Sequence, residues 1–143
     1  MLSARIRRLR PDVPLPVYQT PESAGFDLAA SEDTTIAPGQ VALVPTGLVI
    51  EVPHGHFLGV FARSSTPLKR GLMVANGVGV VDPDYSGPDD EVKNEVINFT
   101  QAPVHVKKGD RIAQGLFIPV TQARWVEADT IRAESRGGFG ATG

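Results

Sequence analysis

Asp82 and Asp84 stand either side of Pro83, and Tyr85 follows at once. A carboxylate at such a corner can take a proton from water, and an aromatic ring beside it can wall a pocket. These residues close the stretch Asn76-Gly-Val-Gly-Val-Val-Asp-Pro-Asp-Tyr-Ser-Gly87. Glycines at 77, 79 and 87 let a backbone approach a ligand closely, because no Cβ stands in the way. Val78, Val80 and Val81 read as a short apolar strand that carries Asp82 out of the core, and Pro83 stiffens the exit by fixing φ. Main-chain donors and acceptors along such a strand suit a planar ligand. A plain β-hairpin uses the same turn residues, so the stretch gains its meaning only from its company in the chain.

Two further segments carry phosphate chemistry. Arg63-Ser64-Ser65 precedes Thr66-Pro67, which predicts one short helical turn capped by Ser65 or Thr66, with Pro67 at the first helical position. An arginine beside two hydroxyls at a helix start suits an anion. Glu134–Gly143 ends in glycines bearing Arg136, Phe139 and Thr142, a cation, a ring and a hydroxyl able to close over a nucleotide. Residues 138–143 spell Gly-x-Gly-x-x-Gly, but no βαβ unit precedes them, so the dinucleotide reading fails. His54 and His56 share a Pro-Gly turn, with His105 far along the chain, too few ligands for a closed metal site.

The elements that must position these residues are strands. Fifteen glycines and twelve prolines are spread at intervals along 143 residues, which punctuates short strands rather than marking disorder. Strands are predicted over 4–10 as an arginine-rich edge, 23–30, 41–44, 47–52, 57–62, 92–99, 103–106, 111–118 and 124–127, the last carrying the single Trp. Ile36–Gln40 reads as a turn. On 23–30, Phe26 and Leu28 share one face and Asp27 takes the other; on 111–118, Ile112, Leu116 and Ile118 supply core beneath Arg111 and Gln114. The expectation is an all-β sandwich or barrel of about ten short strands with at most one short helix. Residues 1–133 form one β domain and 134–143 a flexible glycine-rich arm that closes over an active site. A formal charge of −2 argues against a protein that wraps nucleic acid, and no apolar run reaches membrane-spanning length. The absence of cysteine excludes disulfides and thiol nucleophiles; with no signal peptide visible, a cytoplasmic location is expected.

Together these segments resemble the trimeric dUTP pyrophosphatases (dUTPases). The resemblance rests on Ala24-Gly-x-Asp27-Leu28, Arg63-Ser64-Ser65, the run from Asn76 to Gly87, Gly109-Asp-Arg-Ile-Ala-Gln114, and Gly137-Gly-Phe-Gly-x-Thr-Gly143, and covers residues 24–143. It implies a jelly-roll-like fold, a homotrimer with active sites between subunits, and hydrolysis of dUTP to dUMP and pyrophosphate. In that scheme Asp82 activates the attacking water. Tyr85 packs on the deoxyribose. Main chain around Asn76, Gly79, Val81 and Gly87 pairs with uracil. Arg63, Ser64, Ser65 and Gln114 hold phosphates, and Arg136, Phe139 and Thr142 close the site. Mg²⁺ rides on the triphosphate, with Asp27 reaching it at most through water. Two departures stand out: Pro88-Asp89-Asp90 is inserted where the family pattern runs straight into a strand, and Arg136 abuts Gly137 instead of standing a few residues earlier. The rival on the same scaffold is a dCTP deaminase, for which Glu91 or Glu95 would be the catalytic carboxylate; a nucleotide-sensing module is the third reading.

Overall fold

The computed structural model describes residues 1–141 and 143. Among them are eleven strands and one helix. The strands are β1 Ile6–Arg8, β2 Phe26–Ala29, β3 Thr34–Ile36, β4 Val41–Pro45, β5 Leu48–Ile50, β6 His56–Ala62, β7 Leu72–Val74, β8 Gly79–Val81, β9 Lys93–Asn98, β10 Val104–Val106 and β11 Arg111–Pro119; the helix is α1, Ser65–Arg70. The main sheet runs β2-β11-β6-β8 and a second runs β4-β9-β7, with the pairs β1-β5 and β10-β3 at the margins. All pairings are antiparallel, and the whole is the all-β sandwich that the Gly/Pro spacing predicts.

Strand alternation builds two apolar clusters. One centres on Phe26, Leu28, Ile50, Leu58, Val60 and Val92; the other on Ile36, Val44, Leu72, Val96, Val106 and Ile112. Gly115 explains how the middle of the main sheet closes. A Cβ there would lie 2.6 Å from Cζ of Phe26, so only glycine lets that ring lie across β11.

Three local expectations need correcting, and one strand, β7, was not anticipated. Residues 124–127 form no strand: Trp125 is 93% exposed, and every described residue from 119 to 141 is exposed. Arg-Trp-Val-Glu has strand propensity but no partner strand within this chain, and a strand needs a ladder. Ile36 closes β3 instead of opening a turn; it pairs with Val104, and the turn is Ala37–Gln40, closed by the Gln40 N–H to the Ala37 carbonyl at 3.0 Å. Leu72–Val74 is a strand because it pairs with β9. The helix starts earlier than predicted, with Ser64 at the cap and Pro67 third in the helix. Thr66 is drawn into the core, where its hydroxyl donates to the Ile112 carbonyl at 2.7 Å and accepts the Arg63 N–H at 3.1 Å. Pro67 is tolerated there because first-turn N–H groups lack intrahelical partners in any case.

Candidate active site

The central stretch folds around β8, the edge strand of the main sheet, with a turn at each end. β8 lies on β6, with Val60 opposite Gly79, Gly59 opposite Val80 and Leu58 opposite Val81. Gly79 permits that closeness, since a Cβ there would come 2.9 Å from Cβ of Val60. The strand is entered through a tight turn in which the Gly77 N–H donates to the Val74 carbonyl at 3.1 Å, with Gly77 at φ +77°. It is left through a second turn, with the Tyr85 N–H on the Asp82 carbonyl at 3.1 Å. Between β8 and the second sheet lies a cavity of about 320 Å³. Asn76, Gly79, Val81 and Tyr85 line it, together with Glu91 and Glu95. Asp82 stands exposed at the end of β8, where water reaches it freely.

Gly87 lies elsewhere. It lines a neighbouring cavity of about 360 Å³ with Arg5, Arg7 and Ser86, and its N–H donates to Oδ2 of Asp90 at 2.8 Å. Asp90 thus occupies the donor expected to meet the ligand.

A second group of polar side chains assembles on the other side of β6. On β11, Gln114 is opposite Phe61 of β6 and Asp27 of β2. The Asp27 carboxylate, only 11% exposed, is held between two arginines: Arg63 Nε forms an ion pair with Oδ1 at 2.8 Å, and Arg111 Nη1 donates to Oδ2 at 3.0 Å. Arg63 Nη1 also donates to the Arg111 carbonyl at 3.2 Å, and Gln114 Nε2 donates to the Ala62 carbonyl at 3.1 Å. Two guanidiniums against one carboxylate leave a net positive charge beside the exposed Ser64 and half-buried Ser65, a surface fitted to phosphate oxygens. Asp110, in the same motif as Arg111, is a brace. Burial pushes its carboxyl upward, but the Lys107 N–H at 2.9 Å and the Arg70 guanidinium at 2.6 Å outweigh that and hold it below the usual carboxylate range.

Arg111 was absent from the residues expected at the site. Its place within Gly109–Gln114 was the available signal, but its pairing with a residue 84 positions away is a tertiary fact. Arg136 and Phe139 are exposed and neither lines the cavity beside β8, and Thr142 lies outside the described residues. Among the described residues, no three His, Cys, Asp or Glu side chains gather to hold a metal ion, and no helix is long and apolar enough to cross a membrane.

The family model for dUTPase matches residues 12–143. This chain belongs to the dUTPase family. Among curated proteins, it is 51% identical over 134 residues to the deoxyuridine 5′-triphosphate nucleotidohydrolase of Desulfitobacterium hafniense, covering 90% of this chain and 87% of that one. The protein of the same name from Nautilia profundicola is 39% identical, with 99% of each chain covered. Among solved structures, the dUTPase from Streptococcus mutans superposes with a TM-score of 0.77 at 35% identity over 84% of this chain and 98% of the other. The dUTPase of Staphylococcus bacteriophage 80alpha reaches 0.88 over 100% and 99% at 18% identity, a likeness of fold alone. In this member of the dUTPase family, the paired motifs therefore flank one strand, β6, with the cavity beside β8 on one side and the arginine–carboxylate group on the other.

Proposed function

We propose that this dUTPase hydrolyses dUTP to dUMP and pyrophosphate by attack of water on the α-phosphorus. The observation that carries the reading is the order β2-β11-β6-β8, which sets a base-sized cavity and a cationic phosphate surface on the two flanks of β6. Water loses a proton to Asp82 as its oxygen bonds to the α-phosphorus. The bond from that phosphorus to the bridging oxygen breaks, and pyrophosphate leaves with the electron pair. Main-chain groups of Asn76, Gly79 and Val81 read the uracil edge, and Tyr85 packs against the deoxyribose where a 2′-hydroxyl would not fit. Arg63, Ser64, Ser65 and Gln114 hold phosphate oxygens, and stabilising that charge is most of what phosphoryl transfer asks of a protein. Asp27 keeps Arg63 aimed.

Mg²⁺ belongs to the substrate in this reading, as MgdUTP. Both Asp27 oxygens are taken by arginines, which supports contact with the ion through water at most. The catalytic unit is a homotrimer with sites shared between subunits. Supporting that, the phosphate surface is not part of the cavity beside β8, and the exposed 119–141 segment presents Trp125, Val126 and Ile131 to no partner in its own chain. Residues 134–143 act as the closing arm through Arg136, Phe139 and Thr142. The lack of cysteine fits a reducing cytoplasm.

The deaminase reading is weaker because the Glu91 carboxylate is already engaged: Oε1 accepts the Gly47 N–H at 2.7 Å. Incubation with Mg²⁺ and either dUTP or dCTP, with pyrophosphate and ammonia both measured, tests the proposal. Pyrophosphate from dUTP without ammonia from dCTP supports it; ammonia from dCTP overturns it.

A further inference from the structure

The segment Pro88–Asp90 does not line the cavity beside β8, but it joins two residues that do, Tyr85 and Glu91. The Tyr85 hydroxyl donates to the Glu91 carbonyl at 3.1 Å. The ring therefore stands where the Glu91 backbone puts it. Glu91 is fixed on its far side, where its carboxylate accepts the Gly47 N–H and the next residue, Val92, donates to the Leu48 carbonyl at 2.8 Å. On its near side the fixing group is Asp90. Asp90 Oδ2 accepts the Gly87 N–H at 2.8 Å while the Asp90 N–H returns to the Gly87 carbonyl at 3.2 Å. These reciprocal bonds close Gly87–Asp90 into a ring and hold the segment between Tyr85 and Glu91 to one length.

We propose that Asp90 is a positioning residue for sugar specificity: its clasp on the Gly87 N–H holds Tyr85 against the site of the 2′-carbon, so that deoxyribose is accepted and ribose refused. Asp90 touches no substrate. It acts through the loop and the Tyr85 ring, and this rests on the dUTP reading above. Asp90 as an ordinary turn former would stabilise the loop without changing which sugar is hydrolysed. A fixed wall rejects an added hydroxyl by clash, whereas a loose one yields to it, so the difference appears in the ratio of kcat/KM for dUTP to that for UTP.

The test uses full-length protein. Asp90→Ala removes the acceptor. Asp90→Asn keeps an amide oxygen in the same place. Gly87→Ala breaks the clasp from the other end, because a Cβ there would meet Asp90 Oδ2 at 2.9 Å and push it away. The expected result is a dUTP:UTP ratio lowered about fivefold or more in Asp90→Ala and Gly87→Ala, with kcat for dUTP within about twofold and the ratio restored by Asp90→Asn. An unchanged ratio in Asp90→Ala overturns the proposal, as does an Asn variant no better than Ala. If Asp90→Ala does not fold, an unchanged ratio in Gly87→Ala overturns it equally. Unmodified protein that releases no pyrophosphate from dUTP would bring down the functional reading itself, whereas activity with unaltered discrimination in the variants removes only Asp90.

Discussion

Replacing Asp27 by Asn separates two opposing effects at the phosphate surface. Asp27 forms an ion pair with Arg63 at 2.8 Å and accepts from Arg111 at 3.0 Å, with the carboxylate 11% exposed and the two arginines 30% and 47% exposed. The Arg63 ion pair lies between an exposed and a buried one, so it contributes roughly 1–2 kcal/mol. The Arg111 pair is half in solvent and screened by salt, so about 0.5 kcal/mol is appropriate. Asn keeps a neutral oxygen beside the two arginines, which offsets about 1 kcal/mol. The net loss is then about 1 kcal/mol, a fall in melting temperature of roughly 2–4 °C for a chain of this size. Activity is the sharper readout. Losing Asp27 raises the local positive charge, which on charge alone would tighten triphosphate binding. It also releases Arg63 from its aim. Positioning should win, because the site is net positive with or without Asp27, whereas a neutral amide holds Arg63 far less firmly than the carboxylate does. KM for dUTP should rise about three- to tenfold, measured by pyrophosphate release at matched protein concentration and fixed ionic strength. A KM that falls, with the melt lowered as expected, would show that Asp27 restrains the charge of the site and does not aim Arg63.

Asp82→Asn should retain fold and dUTP binding while turnover drops by about 10²–10⁴, checked by calorimetric titration beside a kinetic assay. Deleting residues 136–143 removes no core residue, so the melt should be unchanged and turnover should fall about tenfold or more; unaltered kinetics would make this segment a mere tail. Asp110 gives a pH signature: its folded carboxyl lies below the ordinary value, so its stabilisation is present above about pH 4 and disappears as pH falls through the folded value. Asp110→Asn should therefore be less stable than the unmodified protein at neutral pH and approach it at low pH, as followed by denaturant melts across that range.

The β8 stretch was legible in the sequence because its physics is local. Valines 78, 80 and 81 between glycines announce a strand, found as Gly79–Val81, and Asp82-Pro83 marks its exit. The small three-residue strands β3 and β7 were not, since Thr34–Ile36 and Leu72–Val74 become strands through pairing with β10 and β9. Residues 124–127 erred in the opposite direction, having propensity without a partner. At the site, residue types announced Arg63, Ser64, Gln114 and Tyr85, but three facts were tertiary. Arg111 joins Arg63 on Asp27 through strand register. Thr66 takes the helix start inward by its bond to Ile112. Gly87 turns its N–H to Asp90, a competition that side-chain acceptors in turns commonly win.

The central claim is that water attacks the α-phosphorus of dUTP. Turnover of dUTP with Mg²⁺ in ¹⁸O-enriched water, followed by mass spectrometry of both products, tests it most directly. One labelled oxygen in dUMP and none in pyrophosphate is the result this account predicts. Label in pyrophosphate would place the attack on the β-phosphorus and contradict it.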